Sequence, residues 1–463
     1  MQHINLLWIF CDQLRFHNLS CNGDPNIATP NLDRLAREGV NFTNAYTSCP
    51  VCTPARASVM TGLFANANGV FYLGDLLPPG QRTVAHHFSE AGYRTGYVGK
   101  WHLASTQNAI GHNEGIDYWV HPLLRGGFED WFGFELSNHF WKTAYCTDDS
   151  LWPPKVLEGY QTDRLTDLSL QYLEGMVGRD RPWFHVLSVE APHHGKDRNG
   201  KAFVDVDGVS HTRHPAPPEY EARFNPDHLI LRDNVPEGFE RPARSQQAQY
   251  YAQIANLDDN VGRMLEWLDR TGQADTTLVC FFSDHGEMGG SHRRFQKTSM
   301  YDEAVRIPVM MRLPGVIPEN TQCDDLFSLV DLFPTSAGLC GTRPPRNLQG
   351  IDFSRRVVDG HTSGMRDGLL VQWFGNPRYD PNGDPGVEWR GLRTKTHTYR
   401  PASNDDHHLF DNSRDPMQLT NRFGDPEFAE IQRALHAMLI GEIRKSGEDL
   451  PDFVRACSGS QMR

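Results

Sequence analysis

The chain lacks any apolar stretch near the roughly 20 residues that a membrane-spanning helix requires. Its longest strongly apolar run near the start, Ile4 to Cys11, has no Lys or Arg before it, and no small-residue cleavage site precedes Asp12, Gln13 and Arg15. That pattern argues against a secretory signal, so the expectation is a cytoplasmic protein with no membrane partner. A basic excess is missing too: 45 Lys+Arg against 58 Asp+Glu give a formal net charge of -13 over 463 residues. Nucleic acid selects basic surfaces and is not the expected partner. A small anionic substrate stays open, because a cleft can oppose the global sign. The nine cysteines, at 11, 21, 49, 52, 146, 280, 323, 340 and 457, lack regular spacing and read as reduced thiols. There is no internal repeat and no low-complexity tail, and the composition excludes collagen, disorder and disulfide miniproteins.

What is present is an alternation of buried-strand and helix patterns. Asn5 to Cys11 is continuously apolar and ends at Asp12, as in a parallel strand covered on both faces. The pattern recurs at Trp183 to Val189, followed by Pro192-His193-His194, and at Thr277 to Ser283, followed by Asp284-His285-Gly286-Glu287. Helical stripes lie between them. One runs through Tyr250, Ile254, Leu257, Val261, Met264, Leu265 and Leu268 to Gly272; another starts at Thr29 (N-cap) and Pro30 and stops at Gly39. The fold class is therefore α/β with a mostly parallel sheet between helices. Ligands of such sheets bind beyond the carboxyl ends of the strands, where Asp12, His193 and Asp284-His285 arrive.

Asn113 to Pro154, with Trp119, Trp131, Trp141 and Trp152, shows no clear period and reads as an irregular insertion. Lys196 to Arg244 reads as a long surface excursion. Past Pro344-Pro345, three short segments (Gly368 to Phe374, Trp389 to Thr394, His408 to Asp411) look like antiparallel strands, closed by a helix from Glu427 to Arg444. Two domains are expected: 1–345, and a smaller α+β domain over 346–463 that carries a short antiparallel sheet and roofs the pocket, with Trp373, Trp389 and Arg390 near it.

The most specific stretch is Cys52-Thr53-Pro54-Ala55-Arg56, continuing to Thr61-Gly62. Taken alone, Cys52 could be a buried thiol or half of a redox pair with Cys49; a zinc site would need further ligands at suitable spacing. The stretch as a whole resembles the type I sulfatase signature, in which the Cys is oxidised to formylglycine by a formylglycine-generating enzyme. The resemblance extends over nearly the whole chain. It implies an alkaline-phosphatase-like fold and a sulfuric ester hydrolase.

The same resemblance implies metal ligands at Asp12, Gln13, Cys52, Asp284 and His285. The oxygen donors suit Ca²⁺, Mg²⁺ or Mn²⁺, the imidazole of His285 tilts a little toward Mn²⁺, and the resemblance puts Ca²⁺ first. It also implies catalytic roles for Arg56, Lys100, His102, His193 and Lys297. A hydroxyl of the hydrated aldehyde would attack sulfur, His193 with Lys297 would protonate the departing alcohol, and His102 would release sulfate by deprotonating the second hydroxyl.

The preferred substrate is a small sulfated carbohydrate, a mono- or oligosaccharide, with aryl or aliphatic sulfates next. Asp-Gln and Asp-His also occur in phosphonate monoester and phosphodiester hydrolases of the superfamily, which use the same nucleophile. A non-catalytic binding protein retaining the thiol is the third reading. Oligomeric state is not legible.

Overall fold

The computed structural model describes residues 4–104, 119–148, 150–360, 364–377 and 386–457, with backbone only at 150–153. Its centre is a ten-stranded sheet. Five adjacent strands are mutually parallel: Thr277–Ser283, Asn5–Cys11, Trp183–Ser188, Arg94–Lys100 and Asp130–Phe134. Antiparallel neighbours extend both sides, Val309–Arg312 and Val40–Phe42 at one flank and Ala144–Thr147 and Ser150–Val156 at the other.

Alternation along the first strand explains why it is apolar throughout. Leu6, Trp8 and Phe10 enter one buried cluster, while Leu7, Ile9 and Cys11 enter another on the opposite face. The helix Cys52–Thr61 packs on the first face, and the helix Glu240–Arg270 packs on the second through Ile254, Val261 and Leu265.

Several local expectations change. The long helix begins at Glu240, ten residues before its apolar stripe, because its first turns bury Gln246 and Gln247, which hydrogen bond to His214 and the Gly289 carbonyl. Polar residues that are buried leave no apolar period to read. The helix Pro30–Arg37 starts where expected, but the hydroxyl of Thr29 bonds to Ser20 and Asp33. The carboxylate of Asp258, far away in sequence, accepts from the amides of Asn31 and Leu32 instead, at 3.2 and 2.8 Å.

The segment expected to be irregular contributes three strands of the main sheet, over Asp130–Phe134, Ala144–Thr147 and Ser150–Val156. Trp131 is buried and stacks on Tyr97 (centroids 5.1 Å), and Trp141 is half-buried against Tyr160. Residues 113–118 and the side chain of Trp152 lie outside the described residues. The excursion over 196–244 carries a hairpin, Phe203–Val206 with Val209–Thr212.

Toward the C-terminus a four-stranded antiparallel sheet runs in order Leu369–Trp373, Trp389–Arg393, His397–Arg400 and His408–Asp411. The third strand was not legible, since its residues His397, Thr398, Tyr399 and Arg400 are mixed in polarity. One face packs under the helix Ala429–Lys445 through Leu370, Leu392 and Leu409. The other face presents Leu369, Val371, Trp373 and Trp389 to Tyr46, Cys49, Val51 and Met300. Trp373 and Trp389 are thus buried braces for the segment entering Cys52, and Arg390 is buried against Phe374 and Glu448. No helix among the described residues is long and apolar enough to cross a membrane.

Candidate active site

Four neighbouring parallel strands bring their carboxyl ends to one edge. Asp12 follows Asn5–Cys11, Lys100 ends Arg94–Lys100, His193 follows Trp183–Ser188, and Asp284 follows Thr277–Ser283. Gly99 allows the second of these approaches: a Cβ there would lie 1.8 Å from the carbonyl oxygen of Ser188, and its φ is +108°. Cys52 opens the helix Cys52–Thr61 from the opposite side, placing its side chain at a helix N-terminus, where anions are favoured. Glycine in the left-handed region at Gly62 ends that helix.

The sequence-predicted residues converge. Cys52 Sγ lies 3.5 Å from Asp12 Oδ1, 3.2 Å from His285 Nε2 and 2.9 Å from Lys297 Nζ. Arg56 is wholly buried between the carboxylates, 3.3 Å from both Asp12 Oδ2 and Asp284 Oδ2. It also donates to the Lys100 carbonyl and to Ser188 Oγ, each at 3.0 Å, with its guanidinium over the Phe10 ring. Lys100 Nζ reaches Asp12 Oδ2 at 2.8 Å and Glu190 at 3.6 Å. Lys297 Nζ donates to Gln13 Oε1 at 3.1 Å. His102 is buried nearby, with φ +59°, and among the described residues neither of its ring nitrogens has a hydrogen-bond partner.

One ligand atom from each of Asp12, Cys52, Asp284 and His285 lies within 4.8 Å of all the others. These residues fit a divalent cation on two further grounds. His285 Nδ1 donates to the Gly286 carbonyl at 3.0 Å, which leaves Nε2 with its lone pair toward the cluster. Asp284 Oδ2 is buried and accepts no hydrogen bond. Burial, then the charge of Asp12, pushes the Asp284 carboxyl up to about 7, against the opposing pull of Arg56 and Lys297. Asp12 goes the other way. Burial opposes its ionisation, but the cations of Lys100, Arg56 and Lys297 outweigh that and hold it well below the usual carboxylate range.

Burial, reinforced by Lys100 and Arg56, keeps His102 neutral, the form that can accept a proton. His193 Nδ1 donates to the His194 carbonyl at 2.6 Å, so its Nε2 accepts from Lys297 Nζ at 3.1 Å. This tautomer is assigned from the bonds.

Two carboxylates escaped sequence reasoning. Glu287 accepts from the Gln13 amide and from the backbone of Gly289 and Gln296, and so ties the first strand's end to the loop carrying Lys297. Glu190 accepts from Gln161 and from the amides of Ser137 and Asn138 while facing Lys100. The available signal was position: each acid lies just beyond a strand that already delivers a site residue. The loop around Lys297 is also strained, with His292, Arg293, Gln296 and Thr298 at φ between +53° and +75°. Each such non-glycine residue costs on the order of 1 kcal/mol.

The chain belongs to the sulfatase family, whose model matches residues 4–342. A second model, described as N-sulphoglucosamine sulphohydrolase, C-terminal, matches residues 290–445. An ulvan-active sulfatase of Formosa agariphila is 33% identical over 451 residues, spanning 96% of this chain and 82% of that one. An N-acetylglucosamine-6-O-sulfatase of Bacteroides thetaiotaomicron is 25% identical over 508 residues, spanning 96% and 87%. The crystal structure of a phosphonate monoester hydrolase of Agrobacterium radiobacter matches with a TM-score of 0.74 at 22% identity, over 96% of each chain. At that identity the likeness concerns the fold. The protein is a sulfuric ester hydrolase.

Proposed function

We propose that the chain removes sulfate from a carbohydrate, a mono- or oligosaccharide, with residue 52 as formylglycine and one divalent metal, Ca²⁺ before Mn²⁺ or Mg²⁺. The observation that carries this reading is the buried quartet Asp12, Cys52, Asp284 and His285 enclosed by the cations of Arg56, Lys100 and Lys297. The names of the two curated relatives, one acting on ulvan and one on N-acetylglucosamine sulfate, support the carbohydrate.

Asp12, Gln13, Asp284 and His285 would hold the metal, which supplies Lewis-acid polarisation of a sulfate oxygen. A hydrated aldehyde at position 52 offers two hydroxyls on one carbon, which no ordinary side chain does. Arg56, Lys100 and Lys297 bind and orient the sulfate oxygens, and their burial strengthens each contact. The Lys297–His193 contact holds a proton where the alcohol departs. His102, neutral and without a partner among the described residues, would take one from the hydrated residue 52. Residence in the cytoplasm belongs to the same proposal and is supported by nine cysteines in free form; cell fractionation tests it.

The experiment is a paired assay of protein made together with a formylglycine-generating enzyme. Sulfate release from aryl and sugar sulfates should exceed hydrolysis of a matched phosphonate ester and phosphodiester by orders of magnitude in kcat/KM. Dominant phosphonate or diester turnover would overturn it in favour of that branch of the superfamily. Mass spectrometry of the peptide holding residue 52 checks the conversion, which lowers its mass by about 18 Da.

A further inference from the structure

Beside the reactive centre lies a groove of about 420 Å³, lined among others by Phe203, His211, Phe239, Arg293, Arg294 and Gln296. Each of its two walls is tied to a residue of that centre. One wall is the strained loop in which Gln296 immediately precedes Lys297. The other is the strand Val209–Thr212, which continues into Arg213 and His214. The Arg213 carbonyl accepts from the amide of Gly195, and His214 Nδ1 lies 2.7 Å from the Pro192 carbonyl, so that wall ends at the loop holding His193. The chain thus runs from one wall into Lys297 and links the other to the loop of His193, and these two residues touch, on the side from which the alcohol would leave.

The lining has a defined chemistry. Among the described residues neither Arg293 nor Arg294 has a carboxylate within ion-pair distance, whereas the nearby Asp207 is paired with Arg241 at 2.9 Å. Phe203 is 64% exposed on the hairpin, and the Phe239 ring lies under the Arg293 guanidinium. His211 and Thr212 are buried, and among the described residues His211 Nε2 and Thr212 Oγ1 have no hydrogen-bond partner. Two planar forks without carboxylates and an open aromatic ring match an anionic sugar: its carboxylate or sulfate on the guanidiniums, its C–H face on the ring.

We propose that this groove is a subsite for the sugar on the leaving-group side of the scissile ester, and that it selects oligosaccharides whose neighbouring unit carries a carboxylate or a second sulfate. The proposal rests on the sulfatase reading of the adjoining centre and names the substrate class for it.

The test compares wild type with Arg293→Gln/Arg294→Gln and, separately, with Phe203→Ser. Substrates are an aryl sulfate and three tetrasaccharides: one with the scissile sulfate alone, one with a neighbouring uronate, one with a neighbouring sulfate. The double variant should lower kcat/KM for the charged tetrasaccharides relative to the aryl sulfate by about 5- to 20-fold, mainly through KM, since exposed or half-buried charge pairs are each modest. Phe203→Ser should shift it the same way by less. The arm that responds, uronate or sulfate, identifies the anion. An unaltered ratio in both variants overturns the proposal. Should wild type release sulfate from none of these, the activity reading fails, and calorimetric binding of the same tetrasaccharides then decides the groove. Tighter binding of the charged ones that the double variant loses supports it, and equal binding overturns it.

Discussion

Two sets of cations stand side by side in this molecule, and they are built in opposite ways. Arg56, Lys100 and Lys297 are buried, and Arg56 and Lys100 are fixed by carboxylates at 2.8 to 3.3 Å. Arg293 is exposed and Arg294 half-buried, and among the described residues neither has an acidic partner. The first set cannot move without leaving charge unpaired in a dry interior, which suits groups that must be in place before charge shifts. The second set is free to meet whatever anion arrives. On the proposed reading, rigid pairing would serve the reaction, and unpaired charge would serve choice.

The comparison breaks most readily at its centre. Cys52→Ala should remove turnover, by at least about 10⁴-fold, while far-ultraviolet circular dichroism and Tm stay near wild type, because a small buried side chain is lost without stranding a charge. Ordinary activity in that variant would sink the assignment. Lys100→Ala and His102→Ala should each cost about 10²-fold or more in kcat. Lys100→Ala should also lower unfolding free energy by about 3–5 kcal/mol in urea titrations, since Asp12 loses a buried partner; His102→Ala, whose ring makes no hydrogen bond among the described residues, should destabilise far less.

Next in size is metal removal. Dialysis against a chelator should reduce activity, and Ca²⁺ at about 100 times its Kd should restore it and add about 2.7 kcal/mol of stability, read as a rise in Tm. Restoration by Mn²⁺ alone would reassign the ion. The smallest effect concerns ionic strength. Raising salt from about 0.05 to 0.5 M should raise KM for charged oligosaccharides several-fold and leave kcat nearly level, because only the exposed guanidiniums are screened. A fall in kcat of the same size would erase the contrast between the two sets.

Much of the centre was legible because its chemistry is written as short motifs next to apolar strands. The runs ending at Cys11 and Ser283 gave the strand ends, and Asp12 and Asp284 followed at once. What stayed hidden depends on partners distant in sequence. Glu287 earns its role from Gln13 and Gln296, and Asp258 caps a helix more than two hundred residues earlier. The strand His397–Arg400 lacks a clean alternation, and Asp130–Phe134 puts aromatic residues on both faces of the sheet, Trp131 on one and Phe134 on the other. The groove could not be read at all, since its walls come from a hairpin near residue 203 and a loop near residue 293.

The burial of Cys52 also carries a timetable. With 1% of its surface exposed, the thiol is closed to any modifying protein once the sheet has formed. Yet the walls that close it come late in synthesis, since Lys297 follows it by 245 residues and the first strand waits for Thr277–Ser283 as its neighbour. At roughly 5–20 residues per second, that separation leaves a newly made chain about 12–50 s with residue 52 uncovered. If residue 52 is converted as proposed, conversion would belong to that interval, and a chain that completed its fold first would be well formed and idle.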